Sequence, residues 1–154
     1  MPALDDVLFF PGDISHLRIA DVPTAVGLAQ GETTTVRLNV KAGTQLRAVL
    51  VWTDPPGIAS GPTDATPQLV NDLNLRVTPP SGTAIWGNDS LHPGQADRLN
   101  NVEVVTIAQP AAGTYSIDVN ALRLGLGPKQ SYALVITGDF TEARPGKIRA
   151  IRRM

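Results

Sequence analysis

Glycine and proline interrupt this sequence so often that no long helix fits between them. The chain of 154 residues contains 14 glycines and 13 prolines. No stretch of about 12 residues carries apolar side chains at helical spacing. The runs between the interruptions are short, and many alternate apolar and polar residues or are rich in β-branched ones. The sequence therefore predicts an all-β chain.

Three of these runs show the strand pattern most clearly. Residues 33–40 and 71–78 alternate apolar and polar side chains, whereas residues 46–53 are apolar at both parities. Alternation is typical of a strand with one buried face, and an apolar run at both parities indicates a strand covered on both faces. In residues 71–78 the leucines and valine are expected to face the core, and the polar side chains, among them Asp72 and Asn74, to face outward.

About eight strands are expected in all. The remaining candidates are residues 24–29, 84–87, 102–107, 114–121 and 130–137. Many short strands separated by frequent turns are typical of a sandwich or jelly roll. We therefore predict an antiparallel β-sandwich, a jelly roll of about eight strands, in residues 23–140. Residues 1–22 are interpreted as an N-terminal arm or linker, and residues 141–154 as a basic C-terminal tail.

Composition excludes several classes of chemistry. The chain has no cysteine, which excludes disulfides, thiolate zinc sites and cysteine nucleophiles. The formal net charge is -1, so no general attraction to nucleic acid or to acidic membranes is expected. No apolar run approaches the roughly 20 residues that span a bilayer. The first ten residues lack the features of a signal peptide, so the signal of an exported protein is expected outside this chain.

Acidic and asparagine residues follow the ends of several predicted strands. In an antiparallel arrangement, one end of the sandwich gathers Asp54, Asp72, Asp89, Asn101 and Glu103. The same end also receives Asn71, Asn88, Asp97 and Asn100. Ca²⁺ takes six to eight oxygen ligands of these types. However, the same residue types end strands and form turns through side-chain-to-backbone hydrogen bonds, so the residues alone leave both interpretations open.

An ordered series of short motifs resembles a known family. The motifs are LVWTDP at 50–55, LVNDLNL at 69–75, PSGT at 80–83, WGND at 86–89, NNVE at 100–103 and GTY at 113–115. The series resembles the C-terminal β-sandwich of large secreted subtilisin-like serine proteases, and it is similar to the P-domain that follows the catalytic domain of kexin-like convertases. The resemblance implies a secreted jelly-roll domain that folds with and stabilises the subtilisin-like catalytic domain of the same polypeptide, often with bound calcium.

The sequence departs from a complete protease of this kind. A subtilisin carries its Asp, His and Ser on three separated motifs, with the Ser in a Gly-Thr-Ser stretch. Here the two Gly-Thr pairs are followed by Ala84 and Tyr115, and the two histidines, His16 and His92, stand in unrelated contexts. We therefore expect an accessory domain without catalytic residues, which holds calcium through the five residues Asp54, Asp72, Asp89, Asn101 and Glu103.

Two other classes of function stay open at this point. A β-sandwich also serves as a carbohydrate- or protein-binding module, with Trp86 as an exposed aromatic while Trp52 packs in the core. A stand-alone hydrolase would use Asp54 and Asp72 as a carboxylate pair across a cleft, but the sequence indicates no cleft. His92 is interpreted as a solvated loop residue. The sequence leaves the oligomeric state open.

Overall fold

The computed structural model describes residues 12–58 and 67–143. These residues form a single-turn 3₁₀ helix, Thr24–Val26, and nine strands. The strands are β1 (His16–Val22), β2 (Thr33–Val40), β3 (Leu46–Val51), β4 (Asn71–Thr78), β5 (Ile85–Trp86), β6 (Val102–Ile107), β7 (Gly113–Leu124), β8 (Tyr132–Gly138) and β9 (Phe140–Glu142). Within this part of the chain, no helix has the length and hydrophobicity to cross a membrane.

The strands form two antiparallel sheets that pack face to face. One sheet has the order β1-β8-β3-β6, and the other has the order β5-β4-β7-β2-β9. The first eight strands pair in a nested series, β1 with β8, β2 with β7, β3 with β6 and β4 with β5. This nesting is the connectivity of a jelly roll, and β9 adds a short strand beside β2. The predicted all-β sandwich of jelly-roll type is confirmed.

The core lies between the two sheets and consists of inward-facing aliphatic side chains from both. The sandwich buries Leu50 and Ile136 from one sheet against Leu38, Leu75 and Ile117 from the other, and all five are fully buried. Removal of apolar side chains from water is the main driving force for this packing. Side chains that alternate between the two faces of β2 and β8 keep the inner face apolar, which fixes the register of their pairs.

Three of the predicted strands have the predicted bounds, but one segment folds differently. Residues 24–29, expected as a strand, contain the 3₁₀ helix instead, so that expectation is wrong. Pro23 starts the turn, with its carbonyl accepting a hydrogen bond from the Val26 N–H at 3.1 Å. Gly27 then lies so close to the main chain of Gln130 that a side chain would collide with it. Leu28 makes only an isolated bridge to Gln130.

Both flanks of the predicted domain contribute edge strands. β1 lies in the segment interpreted as an arm, and β9 reaches Glu142 in the segment interpreted as a tail. β1 is paired with β8 alone and exposes Leu17 and Ile19 to solvent. Because its apolar side chains are exposed, the alternation that identifies the inner strands is missing there. The remaining residues of the basic tail lie outside the described part of the chain.

Two expectations about exposure are wrong. Residues 46–53 are not covered on both faces, since Val51 at the end of β3 is 38% exposed. Conversely, Asp72 and Asn74 do not reach solvent and are only 3% and 2% exposed. A β-bulge interrupts the pairing of β4 with β7 between Asp72 and Leu73, and Asp97 and Arg98 of the loop after β5 lie close enough to act electrostatically on Asp72. The polar face at the start of β4 is therefore buried under other parts of the chain.

Candidate functional site

Trp52 ties three strand ends together at one end of the sandwich. Its indole Nε1 donates a hydrogen bond to the main-chain oxygen of Asn71 at 2.9 Å. The main-chain N–H of Trp52 donates to the Asn101 carbonyl at 3.2 Å, and Asn101 Nδ2 donates back to the Trp52 carbonyl at 2.9 Å. The side chain is buried in the core, as predicted. The end of β3 is thus fastened to the start of β4 and to the residue before β6.

Asp54 holds the two ends of the following loop together. Its Oδ2 accepts a hydrogen bond from the Val70 N–H at 2.8 Å, and its Oδ1 accepts one from the Asn71 N–H at 2.7 Å. Hydrogen bonds from N–H groups to a carboxylate are strong because the acceptor is charged. Both oxygens of Asp54 therefore accept main-chain hydrogen bonds, which keep the two ends of the loop close together.

The acidic cluster, defined here as Asp72, Asp97 and Glu103, lies beside this network. Glu103 is fully buried, and its Oε2 accepts a hydrogen bond from the Leu75 N–H at 2.6 Å. Among the described residues, its Oε1 has no hydrogen-bond partner. Burial raises the pKa of Glu103 to about 8; the Leu75 N–H opposes this rise, while the charges of Asp97 and Asp72 add to it. At neutral pH the Glu103 carboxyl is therefore mostly protonated.

The position of Glu103 follows from the shortness of β5. This strand has two residues, after which Gly87 donates its N–H to the Leu75 carbonyl at 2.8 Å. The Leu75 N–H on the same edge of β4 then bonds to the Glu103 carboxyl instead of to a strand. A Cβ at Gly87 would lie 2.6 Å from the Cβ of Glu103. Only glycine leaves room for the buried carboxyl at this point.

Asp72 and Asn74 lie next to each other on β4 with few polar partners. Asn74 Nδ2 donates to Asp72 Oδ1 at 2.9 Å, and Asn74 Oδ1 has no hydrogen-bond partner. Burial raises the pKa of Asp72, although the bond from Asn74 and the positive charges of Arg98 and Arg123 favour its ionised form. Two acids of the cluster, Asp72 and Glu103, thus have raised pKa values. In the described part of the chain, the cluster and Asn74 together hold two buried oxygens without a hydrogen-bond partner.

Asp97 is the ionised member of the cluster. Burial disfavours its charge, but hydrogen bonds outweigh this effect and lower its pKa. Asn88 Nδ2 donates to its Oδ2 at 2.7 Å and Asn100 Nδ2 at 2.6 Å, while the Leu99 N–H donates to Oδ1 at 2.8 Å. A carboxylate with several donors remains charged even when fully buried. Asp97 therefore organises the loop that follows β5.

Asn88 and Asp89 fix the start of that loop. Asn88 takes a left-handed conformation with φ 55°, which asparagine tolerates better than most residues. Its Oδ1 accepts from the Val104 N–H at 3.0 Å, and its Nδ2 also donates to the Val102 carbonyl at 2.9 Å. Asp89 Oδ1 accepts from the Gly94 N–H at 2.8 Å. Residues 88–101 are consequently held by side chains at both ends.

The five predicted calcium ligands fall into three places. Asp72 and Glu103 belong to the acidic cluster, Asp54 and Asn101 belong to the Trp52 network, and Asp89 supports the loop after β5. Among residues 12–58 and 67–143, no three acidic or histidine side chains form a group that could hold a metal ion as they stand. Sequence reasoning missed Asn74, whose place between two core leucines looked like an ordinary solvated position.

A polar network on the outer face of β4 and β7 fixes the ring of Trp86. Asp118 accepts hydrogen bonds from the Thr35 hydroxyl at 2.7 Å and from Arg76 Nη2 at 2.8 Å. The guanidinium of Arg76 lies 5.6 Å from the centre of the Trp86 ring, in a cation–π contact. Beside this half-buried ring is a recess of about 560 Å³, lined by Trp86, His92, Gly94, Gln95, Ala96, Arg98 and Leu99.

The two histidines do not form a catalytic triad with the residues around them. His16 Nδ1 lies 3.9 Å from Asp139, and its ring packs near Phe140. His92 is a loop residue with a 37% exposed side chain, and its Nε2 lies 3.9 Å from Asp97 Oδ1. In the part of the chain that the structure describes, neither imidazole is hydrogen-bonded to a serine hydroxyl. These residues give no support to nucleophilic catalysis.

The chain is similar over part of its length to two long proteins of Dictyostelium discoideum. It is 29% identical over 133 residues to the serine protease/ABC transporter B family protein tagA, covering 75% of this chain and 7% of that protein. It is 35% identical over 100 residues to the serine protease/ABC transporter B family protein tagB, covering 60% of this chain and 5% of that protein. The chain therefore matches only a small share of either relative.

The chain was also compared with protein family models and with solved structures. No protein family model matches the chain. Among solved structures, the chain is similar to PliG of Aeromonas hydrophila, a periplasmic lysozyme inhibitor of g-type lysozyme, with a TM-score of 0.43 and 17% sequence identity. That match covers 87% of this chain and 92% of PliG.

Proposed function

We propose that this chain is a non-catalytic accessory domain of a larger secreted protein, where it stabilises a subtilisin-like serine protease domain of the same polypeptide. The observation that carries the proposal is the match to two proteins named as serine proteases over only 7% and 5% of their length. A segment of that size is one domain of a long polypeptide, and most of this chain takes part in the longer match.

The fold supports a role in which the sandwich packs against another domain. The sandwich has its own apolar core, with Leu50 and Leu75 fully buried, so it is able to form as a unit next to another domain. β1 is an edge strand that presents Leu17 and Ile19 to solvent, with Ile14 just before it also exposed. Exposed apolar groups that lie together favour contact with another folded surface, and here the catalytic domain is the proposed partner.

Calcium is the second part of the proposal. The unpaired buried oxygens Glu103 Oε1 and Asn74 Oδ1 are hard ligands of the kind that Ca²⁺ takes. Together with the carboxylate of Asp72 they would hold the ion, whose charge would favour the ionised form of Glu103 that burial now disfavours. Asp54 does not fit this role, because its two oxygens already accept main-chain hydrogen bonds.

Separate experiments test the two parts. For calcium, the melting temperature of the 154-residue chain is measured with Ca²⁺, with Mg²⁺ and with a chelator. We expect Ca²⁺ alone to raise it, since a ligand that binds only the folded state stabilises that state. Identical melting temperatures in all three buffers would reject the calcium site and leave the accessory role intact.

The accessory role is tested on the longer polypeptide. We expect its coding sequence to contain the separated Asp, His and Ser motifs of a subtilisin-like domain. We further expect removal of the sandwich to shorten the half-life of protease activity on heating. A coding sequence without such motifs would reject the accessory role whatever the calcium result.

A further inference from the structure

The recess beside Trp86 adjoins the acidic cluster, since Nε2 of its lining residue His92 lies 3.9 Å from Asp97 Oδ1, but it has no part in the proposed accessory role. Its volume of about 560 Å³ lies within the range of small-ligand sites, which is about 300–1,000 Å³. The loop that forms its outer wall runs through His92, Gln95 and Arg98, and β5 supplies Trp86 as the inner wall. The recess therefore lies between a strand and a loop that other side chains hold in place.

Both walls are held by contacts within the protein. The Arg76 guanidinium, itself bonded to Asp118, holds the Trp86 ring. Asp89 accepts from the Gly94 N–H, and the Gln95 N–H donates to the His92 carbonyl at 3.0 Å. A site whose walls are already ordered loses little conformational entropy when a ligand binds. The recess thus has the preorganisation of a binding site.

The lining groups define the chemistry of a ligand. One face of the site is an indole ring, which packs against apolar C–H surfaces. The polar groups are the Gln95 carboxamide, the His92 imidazole and the Arg98 guanidinium, all able to donate hydrogen bonds. No carboxylate lines the recess, and Asp97 behind His92 is fully buried. A ligand with an apolar ring face, several hydroxyl groups and a negative charge matches this set.

We propose that the recess binds an acidic sugar residue of the uronic acid class within a polysaccharide. The sugar ring packs against Trp86, Gln95 and His92 bond to its hydroxyl groups, and Arg98 pairs with its carboxylate, for which a guanidinium is well suited. An acidic peptide fits less well. Extended peptides usually add to a free strand edge, whereas β5 offers only two residues, Ile85–Trp86.

The two tryptophans of the chain make the site observable by fluorescence. Trp52 is 3% exposed in the core, whereas Trp86 is half-buried at the recess. Titration of the chain with trigalacturonate is expected to change the emission in a saturable way, with a Kd in the range of about 0.1 to 1 mM. The fully methyl-esterified trisaccharide, which has the same ring but no charge, is expected to bind at least about tenfold more weakly.

Variants assign the binding to named residues. Arg98→Gln, at an exposed position, is expected to weaken trigalacturonate binding at least about tenfold and to leave binding of the ester unchanged. The matched control Arg37→Gln, on the outer face of β2 away from the recess, is expected to bind as the unaltered chain does. Trp86→Phe is expected to remove the fluorescence response, and circular dichroism verifies that it folds. Should it fail to fold, the fluorescence titration of Arg98→Gln decides alone.

Three results would overturn the proposal. The first is the absence of saturable binding of trigalacturonate up to about 10 mM, which is weaker than a specific site of this size requires. The second is equal binding of the acid and its methyl ester. The third is equal binding of penta-aspartate, because that would show recognition of peptide carboxylates without any contribution of the sugar ring.

Discussion

Replacement of Glu103 by glutamine is expected to remove a pH dependence of stability that the unaltered chain possesses. Burial raises the pKa of Glu103 from its ordinary value of 4.5 to about 8. Between these two values the folded state keeps the proton and the unfolded state loses it. The contribution of Glu103 to the unfolding free energy therefore falls as the pH rises through this window, and is constant above and below it.

The size of the effect follows from the width of the window. Each pH unit within it changes the free energy of unfolding by about 1.4 kcal/mol, so from about pH 5.5 to about pH 8 the loss is on the order of 3 kcal/mol. Glutamine keeps an oxygen for the Leu75 N–H and has no proton to lose. In the presence of a chelator, Glu103→Gln is thus expected to be more stable than the unaltered chain at pH 8, and its own curve to lack this fall.

The measurement is urea unfolding at several pH values in chelator. Glu142→Gln is the matched control, because the side chain of Glu142 is 67% exposed and its ion pair with Arg18 lies at the surface, where such pairs contribute little to stability. Burial also raises the pKa of Asp72, but Asp72 is present in every variant, so the part of its effect that is independent of Glu103 is common to all the curves. If the difference in unfolding free energy between the unaltered chain and Glu103→Gln is independent of pH, then burial does not raise the pKa of Glu103 as described. Ca²⁺ bound as proposed would favour ionised Glu103 and is expected to reduce this fall of stability with pH.

Three further substitutions test other contacts by urea unfolding. Asp54→Ala leaves two main-chain N–H groups without an acceptor and is expected to lower the unfolding free energy by about 1 to 3 kcal/mol. The decrease should be the same with Ca²⁺ and with chelator. A decrease in stability seen only with Ca²⁺ would show that Asp54 is a calcium ligand. Arg76→Ala leaves a buried carboxylate with only a hydroxyl donor and is expected to lower stability by about 1 to 3 kcal/mol, whereas Arg37→Ala on the exposed face changes it by less than about 0.5 kcal/mol. Gly87→Ala is expected to lower it by about 1 to 3 kcal/mol through collision with Glu103, and an unchanged midpoint would contradict the close packing seen there.

The strands of the inner faces were predictable because alternation encodes burial directly. β2 and β4 have the predicted bounds, and Trp52 packs in the core as its parity with Leu50 indicates. β1 was not predictable in this way. It is an edge strand, and exposed residues such as Ile19 remove the contrast between its two faces.

The sequence predicted which types of residue form the candidate site, but not how they are arranged in it. Strand direction indicated that acidic and asparagine residues gather at one end, but not which of them meet. The burial of Asn74 and Asp72 depends on how distant parts of the chain pack over β4, and the contact of Glu103 with Leu75 depends on β5 being only two residues long. These are tertiary contacts between residues far apart in sequence, and no local pattern encodes them.

We propose that this sandwich stabilises a protease domain of the same polypeptide. The most direct measurement is the half-life of protease activity on heating, for the longer polypeptide with and without the sandwich. We expect the shortened protein to lose activity at least about tenfold faster, which corresponds to about 1.4 kcal/mol in the barrier to inactivation, with an unchanged kcat/KM before heating. Equal half-lives for the two proteins would contradict the claim.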